Sequence, residues 1–333
     1  MTSALRLLYQ KRMLSRKRPF WRRTLYSCAA VAMISVPAAN AFTGKVFIST
    51  KSTAAFSTAV NTVDLHYSDF VLPEPDAADA PPVLLLHGLL GNRRNFATIG
   101  RSLAQQLEKP RRVTAVDLRN HGDTAAAQAV PEMTYTDMAA DVLQFLDRHE
   151  IDRAVLVGHS MGGKVAQTVA LTAPERVDGL VVLDIAPVPY TEEDAPWKAV
   201  VDILFLLDKI PVGSSKKEVD QFLLPTIPDS ALRAFILTNW DAKESNWKIP
   251  ISSIVKQIEA LASFDIDPSV HQYHGDVFLI HGGQSRFVRH AYMERIGEYF
   301  PNHLLTTIKG AGHWVHAEAP QDTTALLKRF LDR

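Results

Sequence analysis

The residues best suited to chemistry lie in the segment Gly158-His159-Ser160-Met161-Gly162, which has the pattern Gly-x-Ser-x-Gly. An apolar run precedes the segment and a helical pattern follows it, so we expect the serine on a tight strand-to-helix turn. Gly158 and Gly162 remove side chains that would collide with the crossing backbone at such a turn. The turn exposes the hydroxyl of Ser160 next to the partly positive N-terminus of a helix. The sequence therefore predicts Ser160 as a nucleophile; the alternative is a glycine-rich turn that only packs a helix onto a sheet.

A serine hydroxyl needs an adjacent base before it can act as a nucleophile. Proteins with this serine motif carry the partner histidine late in the chain. Here the segment Gly310-Ala311-Gly312-His313 follows the last predicted strand, and its small residues let the loop approach the serine. We therefore predict His313 as the general base. His316 is the alternative, and we expect it to have a structural role.

The acid that would orient the histidine is harder to identify. It usually follows the penultimate strand, but Ser285 occupies that position, and a serine cannot carry the charge that stabilises an imidazolium. Asp184 ends an earlier buried run, at the same edge of the sheet as Ser160, where a carboxylate is costly unless it is paired. We therefore predict Asp184 as the acid, although it could instead cap the segment that follows. Three weaker candidates precede the penultimate strand: Asp265, Asp267 and Asp276.

An acyl-transfer reaction also needs backbone N–H groups that bind the developing oxyanion. The residue after the nucleophile, Met161, is one predicted donor. The loop after the first predicted parallel strand, residues 86–91, supplies the other. We assign this second donor to Leu89, because Gly88 lets the chain turn its amides inward. A third loop, Asp117–Gly122, is expected to fix loop structure.

Short apolar runs, typical of strands buried on both faces, position these residues. They alternate with helical patterns, which predicts a mainly parallel sheet with helices on both faces. The interval between Pro187 and about Phe264 contains only helical stretches. An insertion there would lie above the carboxyl ends of the strands, where α/β sheets bind ligands, so we predict a helical cap at about residues 188–264. The strand-like runs are Val63–Phe70, Pro82–Leu86, Val113–Val116, Ala154–Val157, Leu180–Leu183, Val277–Ile280 and Leu304–Ile308. The helical stretches of the cap are Trp197–Leu207, Ser230–Thr238 and Ser252–Leu261.

Length and composition fit one α/β domain at residues 61–333. The 36 basic and 36 acidic residues cancel, but residues 1–63 hold ten basic residues and no acid. The rest of the chain is therefore acidic and offers no electrostatic footprint for nucleic acid. The only cysteine, Cys28, precedes the domain, which excludes a disulfide or a cysteine nucleophile within it. No cofactor or metal is predicted, because no glycine loop has the pattern of a phosphate site and no His/Asp cluster has ligand spacing.

Residues 1–60 have the composition of a targeting leader, rich in Arg, Ser and Thr and free of acids. The apolar run at residues 25–39 is too short to span a bilayer and is broken by Pro37, and we predict no transmembrane span in the mature domain. A basic amphipathic helix around Leu5–Trp21 predicts a mitochondrial presequence. The alternative is a signal-like leader, ending near Ala41, for a plastid or secretory route.

Four strings bring these motifs together, at residues 87–91 (HGLLG), 117–122 (DLRNHG), 158–164 (GHSMGGK) and 183–188 (LDIAPV). The set resembles the α/β-hydrolase fold and, within it, the group of the bacterial esterase YbfF and the eukaryotic abhydrolase domain-containing protein eleven. We predict an α/β-hydrolase fold with the helical cap inserted after the sixth strand. The resemblance supports Asp184 as the acid of a Ser-Asp-His triad and implies hydrolysis of small acyl esters or thioesters. The eukaryotic relatives are mitochondrial, which favours that localisation; no protein partner is predicted. An acyltransferase, a carbon–carbon bond hydrolase and a catalytically silent binding protein are the alternatives.

Overall fold

The computed structural model describes residues 61–71 and 80–333. Seven strands of this part of the chain form one sheet, and two short strands form a separate ribbon. The predicted leader, with Cys28, and residues 72–79 of the expected connector lie outside the described residues. The strands are β1 (Tyr67–Val71), β2 (Val83–Leu86), β3 (Val113–Val116), β4 (Ala154–His159), β5 (Val177–Leu183), β6 (Trp240–Asp241), β7 (Asn246–Trp247), β8 (Val277–Gly282) and β9 (His303–Ile308).

The strand order of the sheet is β1-β3-β2-β4-β5-β8-β9. Only β1 is antiparallel to its neighbour, and all other pairs are parallel. Strands β2, β3 and β4 are buried along their whole length, which explains why their sequences are continuous apolar runs. Because all the parallel strands point the same way, the loops after β4, β5, β8 and β9 meet at one edge of the sheet.

Helices separate the parallel strands of the sheet, and the predicted mainly parallel sheet covered by helices is confirmed. The helices are α1 (Ala97–Gln106), α2 (Gly122–Ala127), α3 (Tyr135–Arg148), α4 (Met161–Thr172), α5 (Ala195–Leu207), α6 (Lys216–Leu223), α7 (Ser230–Ile236), α8 (Ile251–Lys256), α9 (Ile258–Ala262), α10 (Met293–Tyr299), α11 (Val315–Glu318) and α12 (Pro320–Leu331). Helix α4 packs against β4, β5 and α3, while α1 and α12 pack together over alternate residues of the strands. Among the helices of the described ranges, none has the length and apolar character that crossing a bilayer requires.

Helices α5 to α9 occupy the interval that the sequence assigns to the cap. The cap follows β5, the fifth strand of the described chain, and not the sixth strand, because a single antiparallel strand precedes the parallel ones. The cap also contains the ribbon β6–β7, where no strand was expected. The stretch predicted as one helix at Ser252–Leu261 is two helices, because Gln257 leaves the helical conformation with φ −97° and ψ 9°.

Candidate active site

Ser160 lies on the tight turn between β4 and α4. Its backbone has φ +51° and ψ −118°, which residues with a side chain rarely adopt. Two glycines make this turn possible. A Cβ on Gly158 would lie 2.2 Å from the Gly162 carbonyl oxygen, and a Cβ on Gly162 would lie 2.3 Å from that of Leu86. The Ser160 amide donates to the Leu183 carbonyl of β5 at 3.0 Å, so the turn is tied to the neighbouring strand.

The imidazole of His313, in the loop after β9, lies between Ser160 and Asp184. Its Nε2 is 3.0 Å from Ser160 Oγ, and its Nδ1 is 2.6 Å from Asp184 Oδ2. In the neutral imidazole, these contacts fit Nδ1 as donor to the carboxylate and Nε2 as acceptor of the serine proton. His159 Nε2 lies 2.9 Å from the His313 carbonyl oxygen, which fixes the backbone of the loop. The structure thus brings together the serine, histidine and carboxylate that the sequence predicted.

The carboxylate of Asp184, directly after β5, is held by three donors. Oδ1 accepts the Gly282 amide proton at 3.0 Å. Oδ2 accepts from Ser285 Oγ at 2.5 Å as well as from His313 Nδ1. Asp184 is only 1% exposed, so these hydrogen bonds supply the pairing that a buried carboxylate requires.

Sequence reasoning noted Ser285 only because it is not an acid. In the structure its hydroxyl donates to the same carboxylate oxygen that binds His313. The loop after β8 approaches the histidine loop closely, since a Cβ on Gly282 would lie 1.9 Å from the Gly312 carbonyl oxygen. The position of Ser285 in the sequence could have indicated this contact, because any residue at the usual place of the acid lies within reach of the histidine.

The alternative base, His316, is not bonded to the serine. It is buried, stacks on the Phe96 ring at a centroid distance of 5.1 Å, and lies 4.4 Å from the His159 ring. Burial lowers the pKa of His316 to about 4, which keeps the side chain neutral in this apolar setting. These contacts agree with the structural role that was expected.

The weaker acid candidates have other surroundings. Asp276 directly precedes β8 and so lies at the amino end of that strand. Asp267 accepts from the amide and hydroxyl of Ser269, and these bonds lower its pKa. The charge of Asp265 acts on Lys164. Across the described ranges, no three His, Cys, Asp or Glu side chains are grouped so that they could hold a metal ion.

The two predicted oxyanion donors line one cavity. Met161 is the first residue of α4, so its N–H is among the amides that have no acceptor within the helix. Leu89 lies in the turn after β2. His87 fixes the start of this turn, because its Nε2 accepts the Leu118 amide proton at 3.0 Å and its Nδ1 lies 2.8 Å from the Gly88 carbonyl oxygen. Burial lowers the pKa of His87 to about 4, so the imidazole stays neutral and its Nε2 can accept the Leu118 amide proton.

The loop after β3 is held by its own side chains. Asp117 accepts from the amides of Arg93 and Asp123, at 2.7 and 2.8 Å. Asn120 forms two bonds with the backbone of Val130, at 2.8 and 2.9 Å. These contacts agree with the structural role predicted for the loop.

A cavity of about 270 Å³ extends from Ser160 toward the cap. Its walls are mostly apolar, and Lys164 places a buried amino group among them. Lys164 Nζ donates to the Ser263 carbonyl at 2.9 Å and lies 4.8 Å from the centre of the Tyr190 ring. Burial lowers the pKa of Lys164 to about 7. The cavity can hold an apolar chain beside the serine. Cap residues that line it are Trp197, Val200, Ile203, Leu232, Phe235 and Ile236.

Known proteins resemble this chain along most of its length. Residues 81–320 match the family model of the alpha/beta hydrolase fold. The sn-1-specific diacylglycerol lipase ABHD11 of Xenopus laevis is 33% identical over 294 residues, which cover 87% of this chain and 90% of the relative. Esterase YbfF of Escherichia coli is 29% identical over 252 residues, 75% of this chain and 93% of the relative. A solved structure, a marine microorganism esterase, is 30% identical with a TM-score of 0.73 and covers 81% of this chain and 100% of its own. The predicted resemblance is confirmed: the chain belongs to the alpha/beta hydrolase family and is an enzyme whose relatives are named esterases and lipases.

Proposed function

We propose that the protein is a serine hydrolase that cleaves a carboxylic ester or thioester through an acyl intermediate on Ser160. The observation that carries this proposal is the continuous series of hydrogen bonds from Ser160 through His313 to Asp184. Such a series activates a serine hydroxyl, because the imidazole accepts its proton while the carboxylate orients and stabilises the imidazolium. The relatives named as esterases and a lipase support the same class of reaction.

In the first half-reaction, Ser160 Oγ attacks the acyl carbonyl carbon while His313 Nε2 takes the hydroxyl proton. The N–H groups of Leu89 and Met161 stabilise the tetrahedral oxyanion. Collapse of this intermediate expels the alcohol or thiol, which receives the proton from His313, and leaves an ester of Ser160. Asp184 holds the imidazole and offsets its positive charge.

In the second half-reaction, His313 takes a proton from water, and the water oxygen attacks the acyl carbon. The carboxylic acid leaves, and the proton returns to Ser160 Oγ. An alcohol in place of water would give acyl transfer from the same intermediate. Product analysis with and without added alcohol therefore separates a hydrolase from an acyltransferase: water should be the main acceptor.

The decisive test is covalent labelling of the full chain with a fluorophosphonate probe. Wild-type protein should be labelled on Ser160 and should hydrolyse p-nitrophenyl esters, and Ser160→Ala should do neither. Ser230→Ala, which changes an exposed serine of the cap, is the matched control and should be labelled like the wild type. Absent labelling would indicate a catalytically silent protein, and equal labelling of Ser160→Ala would show that another residue reacts with the probe; either result would contradict the proposal.

We infer an apolar acyl chain as substrate, because the cavity beside Ser160 is lined mainly by apolar cap residues. A series of p-nitrophenyl esters and acyl thioesters of increasing chain length tests this inference. We expect kcat/KM to rise with chain length until the cavity is filled. A preference for acetyl over all longer chains would contradict it.

We also infer that residues 1–60 form a leader that carries the domain at 61–333 to the mitochondrion. The support is compositional: residues 1–63 hold ten basic residues and no acid. Residues 1–60 fused to a fluorescent protein should co-localise with a mitochondrial marker. Plastid or secretory localisation of the fusion would contradict this inference.

A further inference from the structure

The turn after β2 contains a residue in an unfavourable conformation. The Gly91 amide donates to the Gly88 carbonyl at 3.0 Å, which closes a β-turn, and the third residue of this turn, Leu90, has φ +61°. A positive φ at this position favours glycine or asparagine, because a Cβ makes the left-handed region unfavourable. The strained residue directly follows Leu89.

Two buried side chains hold the backbone of Leu90 in this conformation. His121 Nε2 accepts the Leu90 amide proton at 3.0 Å, and Asn239 Nδ2 donates to the Leu90 carbonyl at 2.7 Å. His121 is 0% exposed and Asn239 is 2% exposed. Both polar backbone groups of the strained residue are therefore bonded to side chains shielded from water.

The chemistry of His121 suits the role of a permanent acceptor. Its Nδ1 lies 2.9 Å from the Arg119 carbonyl oxygen, so Nδ1 carries the proton and Nε2 has a free lone pair. Burial, assisted by the neighbouring His87, lowers the pKa of His121 to about 3. The imidazole thus stays neutral and keeps accepting the Leu90 amide proton at neutral pH.

The two side chains come from different parts of the fold. His121 belongs to the loop after β3, whereas Asn239 belongs to the cap, at the end of the 3-10 helix Leu237–Asn239. The Asn239 carbonyl accepts the Lys248 amide proton at 2.8 Å, just after the ribbon β6–β7, which fixes the residue within the cap. One buried hydrogen bond therefore connects the cap to the turn that carries Leu89.

We propose that Asn239 and His121 are positioning residues for the oxyanion hole, and that the cap, through Asn239, sets the orientation of the Leu89 N–H. This inference rests on the proposed function, since it assigns that N–H to the oxyanion. Without the Asn239 donor, the buried Leu90 carbonyl loses its partner, and the turn is free to relax to a negative φ. Relaxation rotates the peptide groups of the turn and moves the Leu89 N–H away from the transition-state oxygen.

Asn239→Ala in the full chain tests the inference, with p-nitrophenyl butyrate as substrate. We expect kcat to fall about tenfold to hundredfold, less than for outright loss of an oxyanion donor, while KM stays nearly unchanged. A trifluoromethyl ketone forms an oxyanion on a reactive serine. Its inhibition constant should therefore rise by the same factor by which kcat/KM falls, which a merely structural role of Asn239 would not produce.

Rescue by glycine and a matched control sharpen the test. Glycine adopts a positive φ without strain, so Leu90→Gly added to Asn239→Ala should recover kcat at least about threefold. KM is free to rise in this double variant, because the Leu90 side chain lines the cavity. Ser252→Ala removes a hydrogen bond to Asp208 inside the cap and should leave kcat and ketone affinity unchanged.

Three results would overturn the inference: unchanged kcat and ketone affinity in Asn239→Ala, a fall in kcat without weaker ketone binding, or no rescue by Leu90→Gly. In each case labelling of wild-type Ser160 would show that the proposed function still stands. Wild-type protein that hydrolyses no ester and escapes fluorophosphonate labelling would instead overturn the proposed function. Should Asn239→Ala not fold, Asn239→Leu, which keeps the volume of the side chain and has no hydrogen-bond donor, replaces it under the same expectations.

Discussion

At the residue scale, the buried carboxylate of Asp184 can be tested most directly. Asparagine matches its shape but cannot offset the imidazolium charge, and it favours the wrong tautomer of His313. We expect Asp184→Asn to lower kcat by about 10²–10⁴-fold with little change in KM, as measured by steady-state kinetics. Asp265→Asn and Asp267→Asn are the matched controls and should stay close to wild type. Near-normal activity of Asp184→Asn together with loss in either control would show that the acid is misassigned.

The carboxylate that orients His313 could be supplied from position 285 as well as from position 184. Ser285 Oγ lies 2.5 Å from the oxygen of Asp184 that binds His313, so an acid at position 285 would enter the same space. We expect the double variant Asp184→Asn/Ser285→Asp to be at least about tenfold faster in kcat than Asp184→Asn alone.

The single variant Ser285→Asp is the control for this exchange. It places two carboxylates side by side, and one of them must take up a proton, so we expect it to be slower than wild type. A double variant that is no faster than Asp184→Asn would contradict the exchange.

At the scale of elements, the junction of β4 and α4 leaves no room for a side chain at Gly162, in the first turn of α4. A Cβ on Gly162 would lie 2.3 Å from the Leu86 carbonyl oxygen, and this neighbour is backbone that cannot move aside. We expect Gly162→Ala to lower the free energy of unfolding by about 3 kcal/mol or more, measured by urea denaturation.

Gly297, in the interior of helix α10, is the matched control. A Cβ there meets only an ordinary contact, 3.9 Å from His303. Alanine is the better helix former, so Gly297→Ala should raise the free energy of unfolding by up to about 1 kcal/mol. Equal effects of the two substitutions on the free energy of unfolding would show that the backbone around Gly162 can shift to accommodate a Cβ, and would contradict the prediction.

The sequence predicted the elements best where a pattern repeats. Buried strands gave continuous apolar runs, and Gly158 and Gly162 indicated the turn by their spacing. The ribbon β6–β7 was missed because two-residue strands are too short to show alternation. The contacts of Ser285 and Asn239 were beyond prediction for another reason: each joins residues about a hundred positions or more apart, and only the folded chain brings them together.

At the scale of the whole molecule, Lys164 makes stability depend on pH. Burial lowers its pKa from 10.5 to about 7 in the folded protein, and the charge of Asp265 offsets only part of this shift. Between these two values the unfolded chain binds a proton that the folded chain lacks, so this residue makes stability rise with pH. Below pH 7 both states are protonated, and the folded state bears the full cost of the buried charge.

Lys164→Met should therefore stabilise the protein most at pH 6, and its advantage should shrink as the pH rises toward 10. Thermal unfolding of wild type and variant at several pH values measures this difference. Lys198→Met, which changes a half-exposed lysine of α5, is the control and should shift Tm by a similar small amount throughout. If the difference in Tm between Lys164→Met and wild type stayed constant from pH 6 to pH 10, the lowered pKa of Lys164 would be contradicted.

The position of β9 has a consequence for how the enzyme loses activity. β9 forms one edge of the sheet, and its residues Leu304 and Leu305 are exposed. Edge strands of this kind unfold locally, and the free energy of this local unfolding is lower than that of global unfolding. The proposed base, His313, follows this marginal strand, whereas Ser160 and Asp184 follow interior ones. Mild heating should therefore cause a reversible loss of activity while the interior strands stay folded. The temperature at which catalysis fails should be set by local unfolding of β9 and not by global unfolding.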